Sequence, residues 1–130
     1  GSFDFSFSGL KSAVLNYLNQ CHMKNIAVNK ADVAASFQEA VLDVLVEKTM
    51  LAAQESQVKT VLLAGGVAAN SFLRDKLKRR TQEVGIKLYY PPIKYCTDNA
   101  AMIGAAAHYK ALRGEYADLD LNAVPNLKFG

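Results

Sequence analysis

The stretch Thr60-Val61-Leu62-Leu63-Ala64-Gly65-Gly66-Val67-Ala68-Ala69-Asn70-Ser71-Phe72-Leu73-Arg74 decides the fold. Thr60 to Ala64 is a short apolar run of strand length, cut off by a glycine pair, and it reads as a central strand buried on both faces. A helix is expected from about Asn70 to Glu83, with Asn70 as its cap. Gly85 breaks that helix. Ile86 to Tyr90 then reads as a second strand, stopped by Pro91-Pro92, and a last helix is expected from about Asp98 to Leu112. Strand, helix, strand and helix with short connections imply a parallel βαβ unit with its crossover helix on one face.

Upstream, Phe3, Phe5 and Phe7 alternate with Asp4, Ser6 and Ser8, the period of a half-buried strand ending at Gly9. Leu10, Val14, Leu15 and Leu18 recur at helical spacing as far as Asn19, and residues 20–30 read as a loop. Asn29 can cap a long helix reaching about Gln54, with Val33, Phe37, Val41, Val44, Leu45 and Leu51 on one stripe. The expectation is therefore an α/β fold with a small, mainly parallel sheet, residues 1–130 forming one domain. Two or three strands are few for an α/β domain covered on both faces, which points to part of a larger protein. It also points to an exposed apolar face and to self-association of the isolated chain.

The 130 residues are 51% hydrophobic and 21% charged, a composition that excludes a disordered or fibrous chain. No apolar run approaches the roughly 20 residues of a membrane span, and no signal-peptide pattern opens the sequence. The two cysteines, Cys21 and Cys96, lie far apart without CxxC spacing, so a reducing cytoplasm fits best. Gly1 and Ser2 carry no weight in the reading. The net charge of +3 is mild, but five of the seven residues from Arg74 to Arg80 are basic. On a helix these form either a solvated face or a patch that contacts nucleic-acid phosphates.

Two segments could carry chemistry. Gly65-Gly66 followed by the helix start at Asn70 lets the backbone approach a ligand closely and offers free N–H groups to it, although a tight turn and a plain cap satisfy the same pattern. In Cys96-Thr97-Asp98-Asn99, Asp98 sits where strand ends meet helix starts, the usual rim of α/β active sites. Its carboxylate can bind a cation or merely cap the helix. Cys96 lacks a histidine base at any informative spacing, and the isolated His22 and His108 read as surface or core residues.

These two segments, with Phe5-Ser6-Phe7-Ser8-Gly9-Leu10-Lys11, resemble the FSFSGLK, GGVAAN and CTDNAAM signatures of the TsaD family, in the family's order. The resemblance covers residues 5–107 and implies the C-terminal lobe of an actin/Hsp70/sugar-kinase-like fold. It implies a transferase that moves a threonylcarbamoyl group from threonylcarbamoyl-adenylate to N6 of the adenosine beside the tRNA anticodon. On that pattern Asn70 contacts the adenylate, Gly65, Gly66 and Ser8 line the cleft, and Asp98 is the one metal ligand from this lobe. The metal is a divalent ion, iron or zinc, whose histidine ligands lie in the other lobe. This chain alone is therefore expected to be inactive and to hold no metal tightly. The implied partners are tRNA and the subunits TsaB and TsaE, with no membrane. A metalloprotease-like hydrolase, the family's older description, and a non-catalytic interaction module stand as alternatives. The protease reading lacks an HExxH motif.

Overall fold

The computed structural model describes residues 2–125; Gly1 lies outside them. Two compact units divide the chain at Cys96, and each is described by itself.

In the first unit, helix α1 (Ser8–Met23) and the long helix α2 (Lys30–Glu55) precede strand β1 (Thr60–Leu62). A 3-10 turn (Gly66–Ala69), helix α3 (Ser71–Glu83) and strand β2 (Lys87–Tyr89) follow. The strands pair in parallel with Val61 opposite Leu88, and α3 is the crossover between them, as the order of elements demands. Sequence and structure agree on this βαβ core and on the Asn29 cap, whose side chain accepts from the Ala31 N–H.

The core lies where α3 crosses the C-terminal half of α2. Leu42, Val46 and Met50 of α2 meet Leu73 and Leu77 of α3, with Leu45, Leu63, Ile86 and Leu88 packed against them. Leu73 and Leu77 are one turn apart and so share a face. Thr81, one turn further, is only 1% exposed, and its hydroxyl is satisfied by donating to the Leu77 carbonyl at 2.8 Å. Lys76 bridges Glu39 and Asp43 across the same pair of helices, and Arg80 reaches Glu47 at 3.4 Å.

Several expectations are corrected. Residues 2–7 form no strand. A strand exists by pairing, and β1 and β2 pair only with each other; here Lys48 Nζ instead donates to the carbonyls of Ser2 and Asp4. The alternation survives as two stacked same-side rings, Phe5 and Phe7, 6.1 Å apart. Helix α1 starts at Ser8 and runs to Met23, so Gly9 lies inside its first turn and the loop shrinks to residues 24–29. On α2 the buried stripe is Leu42, Val46, Met50 and Ala53, while Phe37, Val44 and Leu51 are exposed. Strand β1 is covered on one face only, by the helices; Leu62, pointing the other way, is 75% exposed.

The helices of the chain end alike. After α1, α2 and α3 a residue with positive φ (Asn25, Gln57, Gly85) lets the next N–H reach back to the carbonyls of Cys21, Ala53 and Thr81. In the second unit helix α4 (Ala100–Leu112) closes the same way at Gly114, with Glu115 N–H bonded to the Lys110 carbonyl. Arg113 pairs with Glu115, and the Tyr116 hydroxyl donates to the Ala111 carbonyl at 3.3 Å. No helix among the described residues is long and apolar enough to cross a membrane.

Candidate functional site

At the carboxyl end of β1 the chain turns at Gly65, whose φ of +86° and ψ of 176° lie in a region that side chains rarely enter. A Cβ built there would meet nothing within 4 Å, so the glycine is required by the backbone and not by crowding. Gly66 opens the 3-10 turn at ordinary φ, and Ala68 buries completely beneath it. The chain thus enters α3 through an intervening turn instead of passing directly from glycine pair to helix.

Asn70 caps α3. Its Oδ1 accepts from the Leu73 N–H at 3.0 Å, and its Nδ2 donates to Gln38 Oε1 on α2 at 3.0 Å. The half-buried amide is thereby held at both ends, which fixes its orientation beside the glycine turn. Ser8 is exposed as the first residue of α1, with its Oγ 3.4 Å from Ser6 Oγ.

Arg74, one turn into α3, is the residue that sequence reasoning missed as an organiser. Its Nε donates to the Ala68 carbonyl within the turn. Its Nη2 donates to the Pro91 carbonyl at 2.9 Å and to Cys96 Sγ at 3.1 Å, and the guanidinium lies 4.6 Å from the Tyr90 ring centroid. Cys96 is only 3% exposed, and its thiol faces Arg74 and the Pro92 carbonyl at 3.7 Å, an environment of packing and not of nucleophilic attack.

The basic run on α3 is mostly consumed inside the molecule. Arg74, Lys76 and Arg80 have the partners given above, leaving Lys78 and Arg79 exposed. The hydrogen bonds that Lys76 donates to Asp43 and then to Glu39 raise its pKa above the ordinary 10.5.

In the second unit Asp98 is exposed, and it is not the cap of α4. Asn99 takes that place: its Oδ1 accepts from the Met102 N–H at 3.0 Å, and its Nδ2 donates to the Thr97 carbonyl at 2.8 Å. The Asp98 carboxylate is therefore not committed to the helix end. Among the described residues no three His, Cys, Asp or Glu side chains come together as a cation site, so those present do not build a metal centre by themselves. His22 is exposed near the end of α1, and His108 packs edge-on to Tyr109 at 5.5 Å.

Fold and turn together define the class: an α/β lobe in which a strand passes through a glycine turn into a capped helix. Within that class the sequence profile of TsaD, tRNA N6-adenosine threonylcarbamoyltransferase, matches residues 1–105. The chain belongs to the TsaD family. It is 56% identical over 129 residues to the tRNA N6-adenosine threonylcarbamoyltransferase of Clostridium botulinum strain Hall, covering 99% of this chain and 38% of that protein. The proteins of the same name from Moorella thermoacetica and Desulfitobacterium hafniense are 57% and 58% identical, over 97% and 98% of this chain and 37% of each relative. The chain thus spans little more than a third of the length of these relatives.

Proposed function

We propose that this chain is the adenosine-side lobe of a threonylcarbamoyltransferase, an acyltransferase that moves the threonylcarbamoyl group of threonylcarbamoyl-adenylate to N6 of the adenosine beside the tRNA anticodon. The observation that carries the reading is the Gly65 turn with its amide neighbour Asn70, at the carboxyl end of β1 in a chain of this family. In the proposal Gly65 and Gly66 admit the adenylate close to the backbone, Asn70 hydrogen-bonds it, and Ser8 lines the same cleft. Asp98 supplies one ligand to a divalent ion, iron or zinc, completed by residues outside this chain. Such an ion polarises or orients an acyl carbonyl when bound. Transfer requires tRNA and takes place in the cytoplasm with TsaB and TsaE as partner subunits. The actin/Hsp70/sugar-kinase-like lobe supplies the frame, and this lobe alone is inactive.

The test uses the full-length protein carrying this chain, with threonylcarbamoyl-adenylate and tRNA, with and without the partner subunits, and nucleoside mass spectrometry as the readout. Gly65→Ala strains the backbone by about 1–3 kcal/mol, but its Cβ crowds no neighbour, so the fold should persist while transfer falls. No modified adenosine from the wild-type protein, or undiminished transfer by the variant, overturns the proposal.

A further inference from the structure

The guanidinium of Arg74 joins two segments that follow the paired ends of β1 and β2. One is the turn between Gly65 and Asn70, reached through the Ala68 carbonyl. The other is the loop leaving β2, reached through the Pro91 carbonyl and Cys96 Sγ and flanked by the Tyr90 ring. Arg74 is also bonded through its own N–H to the Asn70 carbonyl at 3.2 Å. The turn is thus held from the main chain on one side and from the side chain on the other.

We propose that Arg74 is a positioning residue: it sets the glycine turn against the loop at residues 91–96, so that the turn's backbone and Asn70 present one fixed geometry to an adenylate. The inference rests on the function proposed above. A guanidinium suits the task because its planar fork sends donors to three acceptors in different directions while its face stacks on an aromatic ring. A lysine ammonium at the same place keeps the charge but cannot reach Ala68, Pro91 and Cys96 together and does not stack in the same way. The turn carries its own backbone bonds, Ala68 N–H to the Gly65 carbonyl and Asn70 N–H to the Val67 carbonyl, and is anchored by buried Ala68, but its glycine end is open. Its two glycines are exposed, and a Cβ added to either touches nothing within 4 Å. A ligand group held by backbone N–H groups is sensitive to displacements of about 1 Å.

The chain carries its own reporter. Cys96, 3% exposed under the Arg74 fork, reacts with a thiol reagent only when the loop opens, and Cys21, 6% exposed on α1, reports opening elsewhere. The full-length protein is compared with its Arg74→Lys and Arg74→Ala variants. AMP affinity is measured by titration calorimetry, and maleimide labelling of Cys96 and Cys21 by peptide mass spectrometry. The expected result is that both variants raise Cys96 labelling about tenfold with Cys21 unchanged, and weaken AMP binding about tenfold. Faster Cys96 labelling with AMP affinity unchanged overturns the inference and leaves Arg74 as loop packing. Equal acceleration at Cys96 and Cys21 overturns it as well, since the substitution then loosens the whole fold. Unaltered labelling and affinity do the same. If the wild-type protein binds no AMP, the inference falls together with the function it rests on, a result distinct from wild-type binding that the variants retain.

Discussion

Asn70 carries two bonds that substitution can separate, because its oxygen serves the helix and its nitrogen serves α2. Asn70→Ala removes the bond to the Leu73 N–H, worth about 1 kcal/mol for a cap, and the bond to Gln38, worth about 0.5–1.5 kcal/mol. The sum is about 1.5–2.5 kcal/mol. Asn70→Asp keeps an oxygen for the Leu73 N–H and adds a negative charge at the helix N-terminus, favourable by about 0.3–1 kcal/mol. The partner Gln38 can rotate its own amide to donate. The aspartate variant is therefore expected within about 1 kcal/mol of wild type, and the alanine variant about 1.5–2.5 kcal/mol below wild type.

Thermal melts of the full-length protein order the variants for stability, and calorimetric titration with AMP orders them for affinity. If the Nδ2 group also serves the adenylate, both variants lose affinity, about 1–3 kcal/mol, although only one loses stability. Equal melting temperatures for the two variants would refute the assignment of oxygen to the cap and nitrogen to Gln38. Wild-type affinity in both would reduce Asn70 to a cap.

Gln57 ends α2 at φ +53°, where a side chain costs about 1 kcal/mol relative to glycine, so Gln57→Gly is expected to raise the stability by about 0.5–1 kcal/mol; an unchanged or lowered denaturation midpoint argues against it. The Lys76 pKa is raised in the fold, so its contribution is fully present below 10.5 and is lost as pH rises through the higher folded value. Lys76→Met should therefore flatten the alkaline fall in melting temperature, and parallel alkaline slopes for variant and wild type would contradict this.

The features legible in the sequence were those fixed by local physics. An apolar run closed by glycines, a breaker at Gly85 and a proline pair at residues 91–92 gave the parallel βαβ core, and Asn29 and Asn70 announced their helices by residue type. What failed needed a partner to decide it. On α2, Phe37, Val44 and Leu51 compete with Leu42, Val46 and Met50 for the buried side, and only the placement of α3 selects the second. At the start of α4, Thr97, Asp98 and Asn99 are three successive residues of cap type. Spacing cannot choose among them, and the structure uses Asn99. The phenylalanine alternation at the N-terminus carried a strand pattern without a strand to pair with. The candidate ligand residues came from the resemblance of three motifs to a family; local physics supplied only their positions on turn and cap.

Helix α3 shows why a charge run is a poor guide to an external partner. A 13-residue helix presents every azimuth, and this one turns three of its five basic residues toward partners within the molecule. Leu73, Leu77 and Thr81 face the core, Lys76 and Arg80 meet the acids of α2, and Arg74 turns toward the loop after β2. Only Lys78 and Arg79 keep their charge for solvent or a phosphate. Two such contacts would give a shallow salt dependence, with a slope of about −1.4 to −1.8 in log affinity against log salt, where five free cations would give more than twice that. The basic face of α3 therefore contributes at most a minor share of tRNA affinity in the proposed function, and its main task is to hold α2, the glycine turn and the β2 exit in register.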